Sequence, residues 1–243
     1  MSWSKKLKEV NNFQRENRFV WFRGQSKSSY QLKSSLFRQD LNSVEDFLTN
    51  ERARYNWFKN LGHLYHKNDE WELVYLMQHY GVKTRLLDWT ESFSIALYFA
   101  ANEWEDNEEI SIWMLNPQRL NNKSIGTHKF FTPHNDSYRA RLYQEDGNRF
   151  NGNSVALHPL RSNARIVAQQ GVFTIQGNTI ESLNEEFNGE LTAEEILKEI
   201  RISYEYKQEV NKFLELAGIH PFSIFPDLKG LASYVNMLTD EKV

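Results

Sequence analysis

The sequence predicts an α+β fold, a single domain over residues 1–243 with a small central mixed sheet flanked by helices. This length suits one large domain. Hydrophobic residues make up 40% of the chain and aromatic residues 14%, which is enough for a substantial core. Strand-like and helix-like segments follow one another without the regular alternation that predicts a parallel α/β sheet.

The first elements predict one strand between helices. Residues 2–16 place apolar side chains at helical spacing, and the aromatic run 19–22 is typical of a buried strand. Residues 43–65 and 71–79 are helical by the same spacing, and Gly81 is placed to end the second of them. The early strand is therefore followed directly by two helices.

The middle of the chain predicts two further strands around a buried helix. Residues 82–89 are extended, and the next helix starts at an N-cap, which is either Thr90 or Ser92. Apolar side chains then recur on nearly every side of the helix up to Trp104, so we expect this helix to be buried. Residues 110–115 form a strand that an Asn-Pro pair ends.

The second half begins with a polar, irregular segment, residues 121–153, where we expect a mobile loop or insertion. Residues 164–167 and 172–175 are strand-like. Thr192 and Glu195 have the spacing of a capping box ahead of a helix.

The end of the chain predicts a short strand and two helices. The strand covers residues 202–206 and the first helix residues 208–217, with Gly218 as its C-terminal stop. A last helix opens at Pro226-Asp227 and runs through Met237.

Composition excludes several kinds of chemistry. The chain has no cysteine, so disulfides, thiolate nucleophiles and cysteine-based zinc sites are excluded. The net charge of −3 gives no overall attraction to nucleic acid, although a local basic patch is compatible with it. The most apolar stretch, residues 93–101, is shorter than the ~20 residues that span a bilayer. We expect a cytoplasmic protein without membrane contact.

The first candidate site residue is Arg23, at the end of the early strand and followed by Gly24 and Gln25. One interpretation is a structural arginine paired with a carboxylate. The other is a clamp on phosphate or ribose, because a guanidinium binds such groups in a bidentate manner. Gly24 favours the second interpretation, since a ligand can approach a backbone that carries no side chain.

A second group of candidates lies where the extended segment meets the buried helix. Arg85 and Asp88 are three residues apart and would point to opposite faces of a strand. Asp88 or Thr90 can serve as a helix cap. Alternatively, Asp88, Thr90 and Ser92 surround a helix N-terminus whose free N–H groups attract an anion, with Trp89 as a stacking wall.

The third candidate pair is Gln169 and Gln170, which precede a glycine. The two amides either satisfy a bulge or project one amide into a cleft. Among the histidines, His63 and His66 lie three residues apart, and His79 follows later. No carboxylate completes a metal-binding signature with them, and the sequence shows neither a nucleophile elbow nor a phosphate loop. We therefore expect no metal site.

The polar segment 121–153 mixes basic and aromatic residues, with Arg139 and Arg141 at its centre. This mixture suits a track for single-stranded nucleic acid. It equally suits a solvated loop whose aromatic side chains pack locally.

Five segments of the chain resemble the FRG domain family, which is named for its Phe-Arg-Gly motif. Together they extend over almost the whole sequence, and five short matches in the same order are unlikely to arise by chance. Lys33 and Lys83 stand where relatives often carry proline. The matching segments are residues 21–26, 30–38, 79–100, 164–173 and 225–231.

At the level of pattern, three elements also resemble the ADP-ribosyltransferase superfamily. That superfamily has an Arg or His on an early strand that holds NAD, then a Ser/Thr-rich strand leading into a helix, then a late strand with a catalytic Glu. Arg23, residues 88–90 and the pair Gln169-Gln170 are the corresponding positions. The late glutamate is missing here, and Asp88 is the best resident carboxylate to replace it.

The resemblance implies an NAD-dependent ADP-ribosyltransferase-like intracellular toxin or phage-defence effector, with RNA, DNA or protein as acceptor and a neutralising antitoxin protein as partner. The alternatives are an NAD glycohydrolase and a non-catalytic sensor or interaction module. The implied catalytic residues are Arg23, Asp88, Gln169 and Gln170. The implied NAD contacts are Arg23, Gly24, Gln25, Arg85, Thr90 and Ser92, and the implied acceptor contacts are Arg139 and Arg141.

Overall fold

A computed structural model describes residues 2–240 of the chain, except for the side chains of Asn135 and Asp146. These residues form a single α+β domain built on one six-stranded sheet. The strands are β1 Trp21–Gln25, β2 Leu86–Thr90, β3 Glu109–Leu115, β4 Val155–Leu157, β5 Gly171–Ile175 and β6 Leu197–Ser203. The helices are α1 Trp3–Glu16, α2 Val44–Leu61, α3 Glu70–His79, α4 Phe93–Ala101, α5 Pro117–Ile125, α6 Tyr138–Tyr143, α7 Ala164–Ala168, α8 Glu190–Ala193, α9 Lys207–Leu216, α10 Pro221–Ile224 and α11 Leu228–Asp240.

The sheet has the strand order β4-β5-β2-β1-β3-β6, and every pair of neighbouring strands is antiparallel. The expected mixed sheet is therefore wrong. The physical reason is that β2 and β3 run in the same direction and are joined through α4, but β1 lies between them. Among the described residues, the isolated parallel bridge joins Phe131, which lies outside the named strands, to Leu157 at the end of β4.

The centre of the sheet is split between β1 and β2. These two strands share one register pair, Phe22 opposite Thr90. In contrast, β1 pairs with β3 over five residues and β2 pairs with β5 over five residues. Past the Phe22–Thr90 pair the two halves of the sheet separate, which leaves room for a cavity in the middle of the fold.

Helix α4 packs closely on β1 at Gly24. A Cβ atom at this position would lie 1.9 Å from the carbonyl oxygen of Ala96. The glycine of the Phe-Arg-Gly motif is thus required by helix–strand packing. The helix is capped by Ser92, whose hydroxyl accepts a hydrogen bond from the amide of Ile95, and its Ala96, Leu97 and Ala100 are buried as expected.

Some expected elements differ from the structure. Residues 164–168 form helix α7 rather than a strand, because the Asn163 side chain caps them by accepting from the amide of Ile166. Thr192 lies inside α8 and its hydroxyl donates to the Gly189 carbonyl, so the expected capping box is wrong. A strand, β6, follows instead of a helix.

The polar segment 121–153 is less irregular than expected. It contains the end of α5, helix α6 and two short 3-10 turns, with non-helical stretches between them. Tyr138 and Leu142 of α6 are buried in the core. Among residues 2–240, no helix combines the length and the apolar character that crossing a bilayer requires.

Candidate functional site

A cavity of about 390 Å³ lies where β1 and β2 separate. Its lining includes Arg23 and Gly24 from β1 and Asp88 and Thr90 from β2, and α3, α4 and α7 also contribute side chains. The volume falls within the range of small-molecule sites, roughly 300–1,000 Å³. The site is therefore a central cleft between two halves of a sheet.

Arg23 bridges the split between the two strands. Its Nη1 donates to the backbone oxygen of Asp88 at 2.6 Å, and its buried Nε has no hydrogen-bond partner within the part of the chain that the structure describes. Burial lowers the pKa of Arg23, the Asp88 carboxylate opposes this shift and Arg38 adds to it. Among residues 2–240 no carboxylate forms an ion pair with Arg23, so the structural arginine paired with an acid is not what the chain contains.

Asp88 is exposed to the cavity and is the one carboxylate among its lining residues. Its Oδ2 accepts from Gln78 Nε2 at 2.8 Å, and Gln78 Oε1 in turn accepts from the hydroxyl of Thr84. The helix cap is Ser92, so capping does not occupy Asp88. The Asp88 carboxylate is held in place while one of its oxygens stays open to a ligand.

Two further arginines line the cavity, and motif reasoning did not single them out. Arg38 has no ion-pair partner among the described residues, and the Arg165 guanidinium lies 4.8 Å from the centre of the Phe225 ring. Burial and Arg165 lower the pKa of His79, against a smaller opposing effect of Asp227, so His79 is neutral at pH 7. Three arginines face one carboxylate, and the cavity therefore favours an anionic ligand.

The inner wall of the cavity is aromatic. Tyr75 stacks on Phe173 with ring centres 5.3 Å apart, and its buried hydroxyl has no hydrogen-bond partner. Burial raises the pKa of Tyr75, with Glu72 adding to the shift, so the hydroxyl stays protonated and can donate. Trp89 also lines the cavity, but its Nε1 donates to Thr174 within the core.

Thr90 and Gln169 tie the floor of the cavity to neighbouring elements. The Thr90 hydroxyl donates to the Gln169 carbonyl at 2.7 Å and accepts from the Ser92 amide. Gln169 Nε2 donates to the Ile224 carbonyl at 3.3 Å. Arg23, Thr90 and Gln169 thus line one cavity.

Other candidate residues lie elsewhere or serve structural roles. Arg85 is fully buried in the core, where its Nε donates to Glu51 Oε1 at 2.7 Å, and it does not line the cavity. The Gln170 carbonyl accepts from the Glu91 amide, and its side chain is exposed outside the lining. Gln25 lines the cavity but accepts a hydrogen bond from Trp113 Nε1. The expected nucleotide contact of Arg85 is therefore corrected to a core ion pair.

Arg139 and Arg141 do not line the cavity. Arg141 Nε bonds both oxygens of Asp136 at 2.8 Å, and its Nη1 donates to the Arg149 carbonyl. Arg139 is exposed beside Glu145 at 3.8 Å. Nearby carboxylates of the same segment neutralise both arginines, so the segment is best described as a locally packed loop. No three His, Asp or Glu side chains within residues 2–240 form a group that could hold a metal ion.

The fold and the cavity define an α+β domain with a cationic cleft at its centre. The FRG domain family model matches residues 18–109, which include Arg23, Gly24 and Asp88. The resemblance drawn from the motifs is therefore confirmed over residues 18–109, which match the FRG domain family. No curated protein and no solved structure matches the chain.

Proposed function

We propose that the cavity binds NAD and that the protein transfers ADP-ribose from NAD to a macromolecular acceptor. The observation that carries this proposal is the unpaired Arg23 beside the Asp88 carboxylate in one cleft. A ligand with both a pyrophosphate and a cationic reacting centre is complementary to this pair. The order of the elements along the chain agrees with the ADP-ribosyltransferase superfamily pattern.

Transfer of ADP-ribose depends on binding of NAD and on stabilisation of the developing positive charge more than on a strong base. NAD supplies an ADP-ribosyl group when the bond between its ribose carbon and nicotinamide breaks, the electron pair leaves with nicotinamide and the acceptor atom bonds that carbon as it loses its proton. Arg23, Arg38 and Arg165 would bind the pyrophosphate. Asp88 would stabilise the positive charge that develops on the ribose carbon.

Two orphaned polar atoms support the fit of a ligand in this cavity. Arg23 Nε and the Tyr75 hydroxyl are buried, beside the cavity and without partners. A buried polar group without a hydrogen bond costs ~1–3 kcal/mol, so folding alone does not favour leaving two of them in one place. A polar ligand would satisfy both.

One observation favours the alternatives. Among residues 2–240, no glutamate lines the cavity, and Asp88 is the single carboxylate that does. Hydrolysis of NAD by water, without a macromolecular acceptor, needs only the charge stabilisation that Asp88 offers. A non-catalytic sensor needs only the arginines. These two functions are the second candidates. Nicotinamide release separates the sensor from both reactions, and labelled ADP-ribose on a macromolecular acceptor separates transfer from hydrolysis.

We predict that the purified protein releases nicotinamide from NAD and that Arg23→Ala abolishes this release while stability changes little. Removing one partner of a buried ion pair would cost roughly 3–5 kcal/mol, but Arg23 has no such partner. The measurement is chromatographic detection of nicotinamide, paired with a thermal melt. A strongly destabilised Arg23→Ala would contradict the ligand-binding role.

Asp88→Asn is the companion variant, because it keeps the shape of the side chain and removes the charge. We expect it to bind NAD and fail to turn it over. Full activity of Asp88→Asn would remove Asp88 from the chemistry. If the native protein binds NAD without turnover under all acceptors tried, the non-catalytic sensor is the correct alternative.

An enzyme that consumes NAD is harmful when unregulated, so we propose a cytoplasmic toxin or phage-defence effector held in check by an antitoxin protein. Expression of the native chain should arrest growth, and Arg23→Ala should not. Normal growth at equal expression, together with nicotinamide release in vitro, would contradict the toxin role alone.

A further inference from the structure

The C-terminal half of α2 and the turn after it leave large side chains in solvent. Trp57 is 64% exposed, Leu61 71% and Tyr65 90%. With Arg54, Phe58, Gly62 and Val82 they line a shallow groove, here called the α2 groove. Large apolar side chains gathered on one surface indicate an interaction site.

The α2 groove reaches the rim of the cavity. Arg54 Nη2 donates to Gln39 Oε1 at 2.6 Å, and Gln39 directly follows Arg38, which lines the cavity. On the other side of the groove, His79 lines the cavity, and the centre of its ring lies 4.7 Å from the centre of the Tyr80 ring. Tyr80 is 69% exposed and lies two residues before Val82 of the groove. A polymer lying in the groove can therefore present one unit to the cavity.

The surroundings of the α2 groove are cationic. Between Arg52 and Asn68 the sequence has no Asp or Glu. Arg52 and Lys59 are neutralised by Glu45 and Asp69. Within residues 2–240, four neighbouring cations form no ion pair, and the buried Nη1 of one of them, Arg54, has no hydrogen-bond partner. These four are Arg38, Arg54, Lys67 and Lys83.

We propose that the α2 groove binds single-stranded nucleic acid and delivers it to the cavity as the acceptor, an inference that rests on the proposed ADP-ribosyl transfer. Exposed aromatic rings stack on bases, and unpaired cations bind phosphates. The net charge of −3 makes this local excess of cations a property of the groove and not of the whole chain. These groove residues replace Arg139 and Arg141, which are ion-paired and do not line the cavity, as candidate acceptor contacts.

The test is fluorescence anisotropy of the full chain with labelled 12-nucleotide RNA and DNA of mixed sequence, at two salt concentrations. Trp57→Ala combined with Tyr65→Ala should weaken binding at least tenfold, because stacking is lost. Lys67→Ala and Arg54→Ala should each flatten the dependence of log affinity on log salt by about 0.7. Thermal melts check that these substitutions leave the fold intact.

The matched control combines Phe222→Ala with Lys212→Ala, an exposed aromatic and an exposed cation on α10 and α9, which do not line the α2 groove. This control should bind like the native protein. Equal weakening by the control and the groove variants would overturn the proposal.

Transfer is followed separately, as radioactive ADP-ribose appearing on oligonucleotide or on protein. Label on protein alone, without bound oligonucleotide, overturns the acceptor class and leaves the proposed function standing. Nicotinamide release with no label on oligonucleotide or protein overturns transfer as well and indicates hydrolysis of NAD. Groove-dependent oligonucleotide binding without nicotinamide release overturns the transfer reaction and supports the nucleic-acid surface.

Discussion

Tyr75 and Tyr55 are two buried tyrosines with opposite hydrogen-bonding states. The Tyr55 hydroxyl donates to Asp69 at 2.6 Å and accepts from the Glu70 amide, whereas the Tyr75 hydroxyl has no partner. Because only Tyr75 lines the cavity, the difference separates a group that serves stability from one that can serve a ligand.

We predict that Tyr75→Phe leaves stability unchanged or slightly higher and weakens NAD binding about tenfold. Removing an unpaired buried hydroxyl relieves a desolvation cost, while the ligand loses a donor. Tyr55→Phe, the control, should lose roughly 1–2 kcal/mol of stability and bind NAD normally. Chemical denaturation and calorimetric titration measure the two quantities. Equal destabilisation by both substitutions would contradict a free hydroxyl at Tyr75.

At the scale of elements, the contact between α4 and β1 sets the position of Arg23. The helix backbone lies against Gly24 so closely that no side chain fits between them. The same helix starts at Ser92, whose amide donates to the Thr90 hydroxyl in the cavity floor. Helix α4 therefore positions residues on both sides of the sheet split.

We predict that Gly24→Ala destabilises the protein by about 1–3 kcal/mol and reduces activity more than this loss alone explains, since the helix must move. Gly171→Ala is the matched control, because an added Cβ there would meet its nearest atom at 3.6 Å, an ordinary contact. Denaturation midpoints and nicotinamide release compare the two variants. A Gly24→Ala protein as stable as Gly171→Ala would contradict the close approach.

A buried ion pair also connects two elements. Arg85, directly before β2, pairs with Glu51 of α2. The Tyr138 hydroxyl donates to Glu51, and the Arg85 guanidinium lies 3.4 Å from the centre of the Phe150 ring. Sequence spacing placed Arg85 and Asp88 on opposite faces correctly, but it could not show which face carries the cavity. Arg85 lies in the core because it pairs with Glu51, which is 34 residues earlier in the chain.

For the whole molecule, local signals predicted most helices and the Phe-Arg-Gly strand, because apolar spacing reports burial directly. The direction of strand pairing was not predictable, since it depends on β1 lying between β2 and β3. Arg38, Arg165 and Tyr75 were missed as site residues for a related reason. They come from separate segments, and nothing in each segment alone distinguishes an arginine or tyrosine of a cavity from one of the surface.

Stability of the whole molecule should depend on pH through Glu186. This carboxyl is fully buried, and burial raises its pKa from 4.5 to about 7, although Ser154 donates two hydrogen bonds to it. The folded state therefore binds a proton more tightly than the unfolded state. Stability contributed by this proton is present below pH 4.5 and is lost as the pH rises toward 7, by roughly 3 kcal/mol in total.

We predict that Glu186→Gln removes this loss and is more stable than the native protein at pH 8. The neutral amide avoids the cost of ionising a buried carboxyl, and its oxygen still accepts from Ser154. Glu215→Gln, an exposed position, is the control and should keep the native pH profile. Urea denaturation at pH 5, 6, 7 and 8 gives the profiles. Parallel profiles for the native protein and Glu186→Gln would contradict the raised pKa.

The split between β1 and β2 has a consequence for how the molecule holds together. In most sheets, backbone hydrogen bonds join the central strands, and these bonds are the last to break when the protein unfolds. Here β1 and β2 share a single register pair. Beyond it, the Arg23 guanidinium crosses the gap by donating a hydrogen bond to the Asp88 carbonyl. A bound ligand that contacts both β1 and β2 would connect the two strands where backbone hydrogen bonds between them are absent. The amide protons of β1 and β2 that face the gap should then exchange more slowly when the cleft is filled, so ligand binding would stiffen the centre of the sheet.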